Sequence, residues 1–275
     1  MTFSLLLIIG GGLLAAWLVY LAVALGRRWK RNRTRRVALR PEFLAILQRN
    51  VPLYRRMPAE LRTDYWGHIN VFLDDKIFVG CAGLDVNDEI RVTVAGNACM
   101  LLLNRQKDFF RGFSNILIYP DTYVAPVVES DGTTITHGDS ARAGESWHGG
   151  PIVLSWSDVR RGIEHPGDGH NVVLHEFAHK LDEENGIVDG LPVLREHGDY
   201  ADWARVLTKE FDDLTLRAQQ GDNDVLDDYA ASSPPEFFAV ATESFFERGA
   251  LMKERLPDLY GQLKKFYGVD PAAWR

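Results

Sequence analysis

The sequence predicts an α+β fold in which one membrane-spanning helix precedes a body of helices and scattered strands. Residues 3–26 carry no charge and consist mainly of Leu, Ile, Val, Ala, Gly, Trp and Tyr. Several later segments repeat apolar residues at helical spacing, whereas shorter apolar runs that end at proline or a polar turn are typical of strands. The strands do not alternate regularly with the helices, which favours α+β over a doubly wound α/β sheet.

The uncharged stretch 3–26 is long enough to cross a membrane, since roughly 20 apolar residues span a bilayer core. A cluster of cations with no acid among them follows at once: Arg27, Arg28, Lys30, Arg31, Arg33, Arg35, Arg36 and Arg40. A cleavable signal peptide carries its charge before the apolar run, and the positive-inside rule puts the basic side in the cytoplasm. We therefore expect a retained, single-pass anchor in the inner (cytoplasmic) membrane, with the rest of the chain in the cytoplasm.

The basic cluster also has the composition of a nucleic-acid-binding segment, because arginine runs bind phosphates. The whole chain, however, has 38 acidic against 31 basic residues and a net charge of −7, so the part beyond the cluster is acidic. An acidic body argues against a nucleic-acid partner. The simpler interpretation is that these cations set the orientation of the membrane span and also attract anionic lipid headgroups. Cys81 and Cys99 lie in apolar segments without metal-binding spacing, and we expect buried free thiols.

These features divide the chain into a transmembrane anchor (1–26), a basic juxtamembrane linker (27–40) and one domain (41–275) with candidate lobes 41–165 and 166–275. Within the domain we expect helices at 42–48, 61–73, 88–103, 200–220 and 233–246, strands at 76–81, 115–120 and 149–156, and hairpins or a long exposed loop at 124–150. Ser233 can cap the last of these helices, and prolines are tolerated in its first turn because their missing N–H would be unpaired there.

The segment 171–182 combines an apolar helical pattern with the motif His175-Glu176-x-x-His179. Residues four apart lie on one face of a helix, so both imidazoles can bind one zinc ion at about 2.0–2.1 Å. From the next position Glu176 can take a proton from a water held in the metal's open position. The alternative is a buried helix that carries two histidines by chance. A cap at Asn171 and turn dipeptides soon after the motif give the loop–helix–turn setting that favours the metal site.

A catalytic zinc site needs a third protein ligand, with water in the fourth position. The pattern that extends the motif with glycine and histidine fails, because Asp182 and Asn185 occupy those positions. The other common solution takes a glutamate from a separate downstream helix. Glu236 and Glu243 lie seven residues apart on one face of such a helix, so one can ligate while the other hydrogen-bonds to a ligand. Spacing alone does not choose between them, and Glu247 follows near the end of the helix.

Several separate segments resemble the Mlc titration factor A family of zinc peptidases. The matching residues, in chain order, are Gly83-Leu84, Ala95–Leu103, Ile118-Tyr119-Pro120, Leu154-Ser155-Trp156, His175–Asp182, Asn185-Gly186, Asp189–Pro192 and Tyr229–Ser232. The resemblance covers about residues 70–268. The catalytic region of that family is in turn similar to the zinc-binding domain of anthrax lethal factor. The resemblance thus implies a zincin-like, gluzincin-type metallopeptidase domain with a buried HExxH helix.

Carried over by position, the resemblance implies that Glu236 is the third zinc ligand and that Tyr229 offers its hydroxyl to the developing oxyanion. It makes Glu243 an acid that supports a ligand, and we expect the same role for Asp182 at the end of the motif. It also implies aminopeptidase-like cleavage of short peptides and binding to a glucose-regulon repressor. The N-terminal span departs from the enterobacterial members, which look soluble.

The sequence as a whole predicts a membrane-tethered peptidase with Zn²⁺ as cofactor, a peptide or protein as substrate, and Glu176 as general base. The alternative is a zinc-containing binding protein that sequesters a transcriptional regulator, with little catalysis. An intramembrane protease is disfavoured, because the motif lies far from the only predicted span. The strand at 149–156 is either an ordinary core strand or a sheet edge along which a peptide substrate adds as a further strand.

Overall fold

The described part of the computed structural model comprises residues 2–104, 110, 112–121, 123–130, 135–142, 144–146, 150–220 and 225–274. These residues form a mostly helical structure with a small, largely parallel sheet, which agrees with the predicted α+β class. The helices are α1 (Thr2–Arg35), α2 (Pro41–Asn50), α3 (Pro52–Arg56), α4 (Ala59–Asp75), α5 (Asp88–Met100), α6 (Trp156–Glu164), α7 (Val172–Asp182), α8 (Tyr200–Gln220), α9 (Pro234–Glu247), α10 (Gly249–Arg255) and α11 (Pro257–Tyr267). The strands are β1 (Ile77–Gly80), β2 (Asn115–Tyr119), β3 (Tyr123–Ser130), β4 (Ile135–Arg142), β5 (Gly144–Ser146) and β6 (Ile152–Ser155).

The sheet has the order β1-β2-β6-β5, with β1, β2 and β6 parallel and β5 antiparallel to β6. Parallel neighbours require crossover connections, and α5 lies between β1 and β2 in the chain. The predicted strand at 149–156 is present as the shorter β6, whose four residues are all buried, and Trp156 already begins α6. Its interpretation as a sheet edge is wrong, because β5 pairs with its outer side; the core-strand interpretation is correct.

The predicted hairpin in the segment 124–150 is confirmed over its described residues. β3 and β4 pair antiparallel from Tyr123 opposite Arg142 to Ser130 opposite Ile135. Of the two expected buried thiols, Cys99 is buried and Cys81 is half-buried, and both are free.

The motif helix α7 packs against α9 on one side and against α5, β5 and β6 on others. Its Phe177 lies in a cluster of aromatic rings, with centroid distances of 5.5 Å to Phe72, 4.9 Å to Phe110 and 5.8 Å to Phe113. Tilted and edge-on contacts of this kind stabilise beyond the area they bury. The apolar face of α7 is therefore fixed in the core, which leaves its histidine face to the site.

Both helices that form the site begin at the predicted caps. The Asn171 side chain accepts a hydrogen bond from the Leu174 amide at 3.1 Å, and the Ser233 hydroxyl accepts one from the Glu236 amide at 3.4 Å. These contacts satisfy amides that the first helical turn leaves unpaired. After α7 a short 3₁₀ turn ends at Gly186, whose φ of 86° is the left-handed conformation that glycine favours.

Helix α1 includes the predicted apolar segment and continues through the first basic residues to Arg35. Its part Gly12–Arg35 is long and apolar enough to cross a membrane, and no residue of the apolar window within it is buried. An N-terminal helix of this composition fits either a membrane anchor or a signal sequence.

Candidate metal centre

Three side chains from α7 and α9 converge at one point. His175 Nε2 lies 3.0 Å from Glu236 Oε2 and 3.2 Å from His179 Nε2, and His179 Nε2 lies 3.4 Å from the same Glu236 oxygen. The ligand atoms of this set all lie within 4.8 Å of one another. The two histidines stand one turn apart on α7, and the glutamate reaches them from the first turn of α9.

The spacing of these atoms fits a single tetrahedral ion. Ligand atoms about 2.0–2.2 Å from a tetrahedral zinc ion are roughly 3.3 Å from one another. The three distances between the donor atoms of His175, His179 and Glu236 fall around that value. Two imidazoles and a carboxylate also form a donor set of the kind used in catalytic zinc sites. The chemistry and spacing of the residues therefore fit a metal ion.

Glu243 contacts the opposite side of the His175 ring. Its Oε1 lies 2.8 Å from His175 Nδ1, and its Oε2 accepts a hydrogen bond from the Asn171 amide. A carboxylate on Nδ1 fixes the ring orientation and leaves Nε2 as the nitrogen that faces Glu236. The two glutamates that sequence spacing could not separate thus contact different atoms of the same histidine.

The charges of this cluster reinforce one another in the metal-free protein. Burial opposes the charged form of His175, but hydrogen bonds to Glu236 and Glu243 outweigh it and raise the pKa of His175 well above its usual value. Burial likewise opposes ionisation of Glu236, yet the hydrogen bonds from His175 and His179 hold its pKa well below the usual range. Metal binding therefore competes with the proton on His175, since only a neutral imidazole nitrogen can ligate.

Glu176 points into the interior beside the cluster. Its side chain is buried, and its Oε2 has no hydrogen-bond partner in the described part of the chain. Burial raises the pKa of Glu176 to about 7, although the neighbouring histidines oppose that shift. A carboxyl group with a pKa near neutrality suits proton transfer in both directions.

Tyr229 lies at the open side of the site, in a short 3₁₀ turn (Asp228–Ala231) directly before α9. Its ring centroid is 6.1 Å from that of His175, and the residue is 56% exposed. The Asp227 carboxylate accepts a hydrogen bond from the Tyr229 amide at 2.8 Å and so fixes the backbone of the turn. The ring of Tyr229 is therefore exposed beside a histidine of the cluster.

Asp182 connects the end of α7 to the loop that follows. It is fully buried, and its Oδ2 accepts a hydrogen bond from the Gly190 amide at 2.8 Å. Burial raises the pKa of Asp182 to about 6. Among the described residues its hydrogen bonds go to this loop and not to His175 or His179. Its support of the site is therefore indirect.

Gly190 in turn touches the start of α9. Its φ is +78°, and a Cβ added there would lie 2.6 Å from the carbonyl oxygen of Pro234, two residues before Glu236. The Gly190 carbonyl also accepts a hydrogen bond from the Trp203 indole at 3.4 Å. Asp182, Gly190 and Pro234 thus join the end of the histidine helix to the beginning of the glutamate helix.

We expect Gly190→Ala to destabilise the fold and to weaken metal binding. A left-handed alanine costs about 1–2 kcal/mol, and forcing a methyl group against a rigid carbonyl adds about 1–3 kcal/mol. Gly186→Ala is the matched control, because Gly186 also has a positive φ (+86°) but open space around its Cβ position. Urea unfolding and metal titration of both variants measure the difference. Equal losses in the two variants would mean that the contact with Pro234 does not matter.

The structure adds residues that the sequence interpretation did not assign to the site. Glu247 is buried, and its carboxylate accepts hydrogen bonds from the Gly167 amide at 2.9 Å and the Asn171 side chain at 3.2 Å. The Asn97 side chain of α5 accepts a second bond from Asn171 at 3.1 Å. These contacts fix the cap of α7 from two other helices. One sequence signal could have indicated this role. Glu247 lies four residues after Glu243 in an apolar helix, and a buried acid needs a partner.

Comparison with known proteins agrees with this geometry. The family described as glucose-regulated metallo-peptidase M90 matches residues 26–268. The chain belongs to the M90 family of metallopeptidases. Relatives of this M90 peptidase include an uncharacterized protein of Synechocystis sp., which is 35% identical over 88% of this chain and 89% of its own length. Proteins called Mlc titration factor A are also similar: that of Cronobacter sakazakii is 31% identical over 88% of this chain and 91% of its own length. That of Yersinia pestis is 30% identical over 89% of this chain and 90% of its own length.

Family membership and geometry together make the cluster of His175, His179 and Glu236 the metal site of an M90 metallopeptidase. The predicted resemblance to the Mlc titration factor A family and the predicted class of enzyme are both confirmed. The family match begins at residue 26, where the apolar segment of α1 ends.

Proposed function

We propose that the chain is a zinc-dependent peptidase whose metal ion is held by His175, His179 and Glu236. The observation that carries this proposal is the convergence of two imidazole nitrogens and one carboxylate oxygen within 4.8 Å, on two helices of an M90 peptidase. Two nitrogens and one oxygen suit zinc and leave a fourth position for water, as in a zincin-type catalytic site. Glu243 orients His175 in this scheme, and Asp182 holds the loop beside the start of α9.

When bound, zinc supplies Lewis-acid polarisation of the scissile carbonyl and lowers the pKa of the attacking water. Glu176 takes the proton from that water and later passes it to the leaving amine, and its pKa of about 7 in the metal-free protein suits both steps. Tyr229 donates a hydrogen bond from its hydroxyl to the oxyanion that develops on the substrate carbonyl. The exposure of its ring beside His175 supports this role.

We further propose that a peptide substrate pairs with the edge strand β5. This strand is the sheet edge nearest the motif, since α7 packs against β5 and β6. Among the described residues β5 is the last strand at that end of the sheet, and the edge of a sheet offers amides and carbonyls that can pair with an extended peptide without regard to its side chains. Such pairing suits the aminopeptidase-like cleavage of short peptides that the family resemblance implies.

The exposed apolar helix α1 supports a membrane tether. We propose that residues 1–26 form a single transmembrane anchor in the cytoplasmic membrane, that 27–40 form the basic juxtamembrane segment, and that 41–275 form the peptidase domain in the cytoplasm. The cations that follow the apolar run favour this orientation. The start of the family match at residue 26 supports the division between anchor and enzyme.

A second candidate function is sequestration of a transcriptional regulator, with little catalysis. The relatives called Mlc titration factor A favour it, because their name describes titration of Mlc. In that case the metal organises the fold and the partner is a protein rather than a peptide substrate.

The deciding experiment is metal analysis of the full chain in detergent beside a peptide-cleavage assay. We expect one zinc ion per chain, cleavage that a chelator abolishes, and recovery of cleavage when zinc is added back. A fully zinc-loaded chain that cleaves no member of a peptide library, yet binds a regulator, would instead support the sequestration function.

Tyr229→Phe should lower kcat by about 10²–10³-fold with little change in KM, because one donor to the oxyanion is lost while the ring remains. Metal content and melting temperature should stay the same, since Tyr229 is 56% exposed. Steady-state kinetics and a thermal melt on one preparation measure both effects.

Tyr200→Phe is the matched control for that experiment. The Tyr200 hydroxyl accepts a hydrogen bond from the Leu194 amide at 3.1 Å, so its loss should cost stability by about 1–3 kcal/mol and leave kcat unchanged. If Tyr229→Phe behaves like Tyr200→Phe, Tyr229 is structural and the assigned role is wrong.

A further inference from the structure

The C-terminal end of α1 packs on α4, and the two helices run in opposite directions. Arg35 pairs with Asp64 at 3.0 Å near the start of α4, whereas Lys30 pairs with Asp74 at 2.8 Å and Arg31 with Asp75 at 2.6 Å near its end. The contact is close, because a Cβ added to Gly67 would lie 2.5 Å from Arg35 Cγ. The end of α4 therefore lies toward the apolar part of α1.

The distance from this contact to the predicted bilayer is short. Lys30 follows Gly26 by four positions, which is about 6 Å along a helix. The headgroup layer on each side of a bilayer core is roughly 5–8 Å thick. Asp74 and Asp75 thus lie at the level of the headgroups when residues 3–26 span the core. Anionic lipids would repel two bare carboxylates there, but Lys30 and Arg31 pair with both.

The strand that follows α4 exposes an apolar pair at this level. Ile77 is 57% exposed and Val79 is 41% exposed, and alternate residues of a strand lie on the same face. β1 is an edge strand, which soluble proteins usually protect with charged side chains. Lys76 gives no such protection, because it is buried and its amine donates a hydrogen bond to the Phe113 carbonyl at 2.6 Å.

We propose that Ile77 and Val79 form a second, peripheral contact of the catalytic domain with the lipid surface, beside the transmembrane helix. This inference rests on the proposed membrane span. Trp29, which is 66% exposed and lies between Arg28 and Lys30, is an aromatic residue of the type that concentrates at the headgroup level. Arg27 and Arg28 are exposed beside it and suit anionic headgroups. The domain is then held against the bilayer at two places.

The metal site and the proposed lipid contact lie near opposite edges of the sheet. The sheet order places β1 at one edge and β5 at the other, three strand spacings or roughly 14 Å away. The motif helix packs against β5 and β6. Lipid contact through β1 therefore falls at the sheet edge opposite β5, near which the motif helix packs.

Spin labelling of the full chain in lipid nanodiscs tests the contact. Nitroxides are attached at single sites made by Ile77→Cys or Val79→Cys in a Cys81→Ser background; Cys99 is fully buried and stays unlabelled. Leu18→Cys reports on the span, and Ile187→Cys is the matched control, because Ile187 is 59% exposed on the loop after α7. Collisions with oxygen, which concentrates in lipid, and with a water-soluble nickel chelate are then compared.

We expect the oxygen-to-nickel ratio at positions 77 and 79 to be several-fold higher than at position 187, with the highest ratio at position 18. A lipid-like ratio at 18 together with equal ratios at 77, 79 and 187 would overturn this inference and leave the span intact. A water-like ratio at 18 would overturn the span, and the lipid contact with it. Low collision with both reagents at 77, together with spin–spin broadening, would mean that a second copy covers β1, which also overturns the inference.

Discussion

Replacing Glu176 with Gln should lower peptide cleavage by about 10²–10⁴-fold while the metal content of the chain stays the same. Glu176 lies between the two histidines of the motif but is not one of the three residues whose ligand atoms converge. An amide of the same shape cannot take a proton from water, so the substitution removes the general base and little else. Metal analysis and single-turnover cleavage on the same sample measure the two quantities. Normal turnover in this variant would show that another group is the base.

The same substitution should stabilise the metal-free protein at neutral pH, which provides a control for misfolding. The carboxyl titrates at about 7 in the fold and at about 4.5 in an unfolded chain. Between about pH 4.5 and pH 7 the folded state holds a proton on Glu176 that the unfolded state has lost. The free energy of unfolding therefore falls as pH rises through this range. Above pH 7 the buried charge costs at most about 3 kcal/mol. Urea unfolding should therefore favour Glu176→Gln over the wild type at pH 8, and this advantage should shrink toward pH 4.5.

Local sequence signals predicted the helices of the site well. The caps at Asn171 and Ser233 depend on residues within one turn, and the spacing of His175 and His179 depends only on the helical repeat. For the same reason the motif could be identified without any knowledge of the rest of the fold.

The third ligand could not be chosen by spacing, because the choice depends on how α9 lies against α7. Glu236 and Glu243 share a face of α9 and both reach His175, one at Nε2 and the other at Nδ1. A seven-residue spacing keeps either glutamate close to the histidine. Only the relative position of the two helices decides which glutamate also reaches His179.

The sequence interpretation did not predict the strand pairs and ion pairs between distant segments, for a similar reason. β5 has three residues and no periodic signal, so the strand that covers β6 could not be expected. The cations after the apolar run indicated a membrane boundary, but their partners on α4 lie at least 29 positions away in the chain. Parallel pairing of β1, β2 and β6 likewise joins segments that are far apart in sequence.

Glu236→Ala should abolish metal binding in the micromolar range, whereas Glu243→Ala should weaken it by about 10–100-fold. Glu236 Oε2 lies 3.0 Å and 3.4 Å from the two histidine Nε2 atoms, so its loss leaves two ligands and breaks the site. Glu243 contacts only the far nitrogen of His175, and without it the ring loses its orientation but keeps its ligand atom. Competition with a chromophoric chelator gives both dissociation constants.

Glu247→Ala is the matched control, because Glu247 is a buried glutamate on the same helix that contacts the Gly167 amide and Asn171 rather than a histidine. Removing a buried acceptor leaves its donors unpaired, so this variant should lose about 1–3 kcal/mol of stability. Its metal affinity should fall less than that of Glu243→Ala, since α7 loses part of its support but no ligand loses its partner.

Tighter metal binding by Glu236→Ala than by Glu243→Ala would exchange the two assignments and make Glu243 the ligand. Equal losses of metal in all three variants would mean that the losses reflect a general loosening of α9 rather than coordination by Glu236.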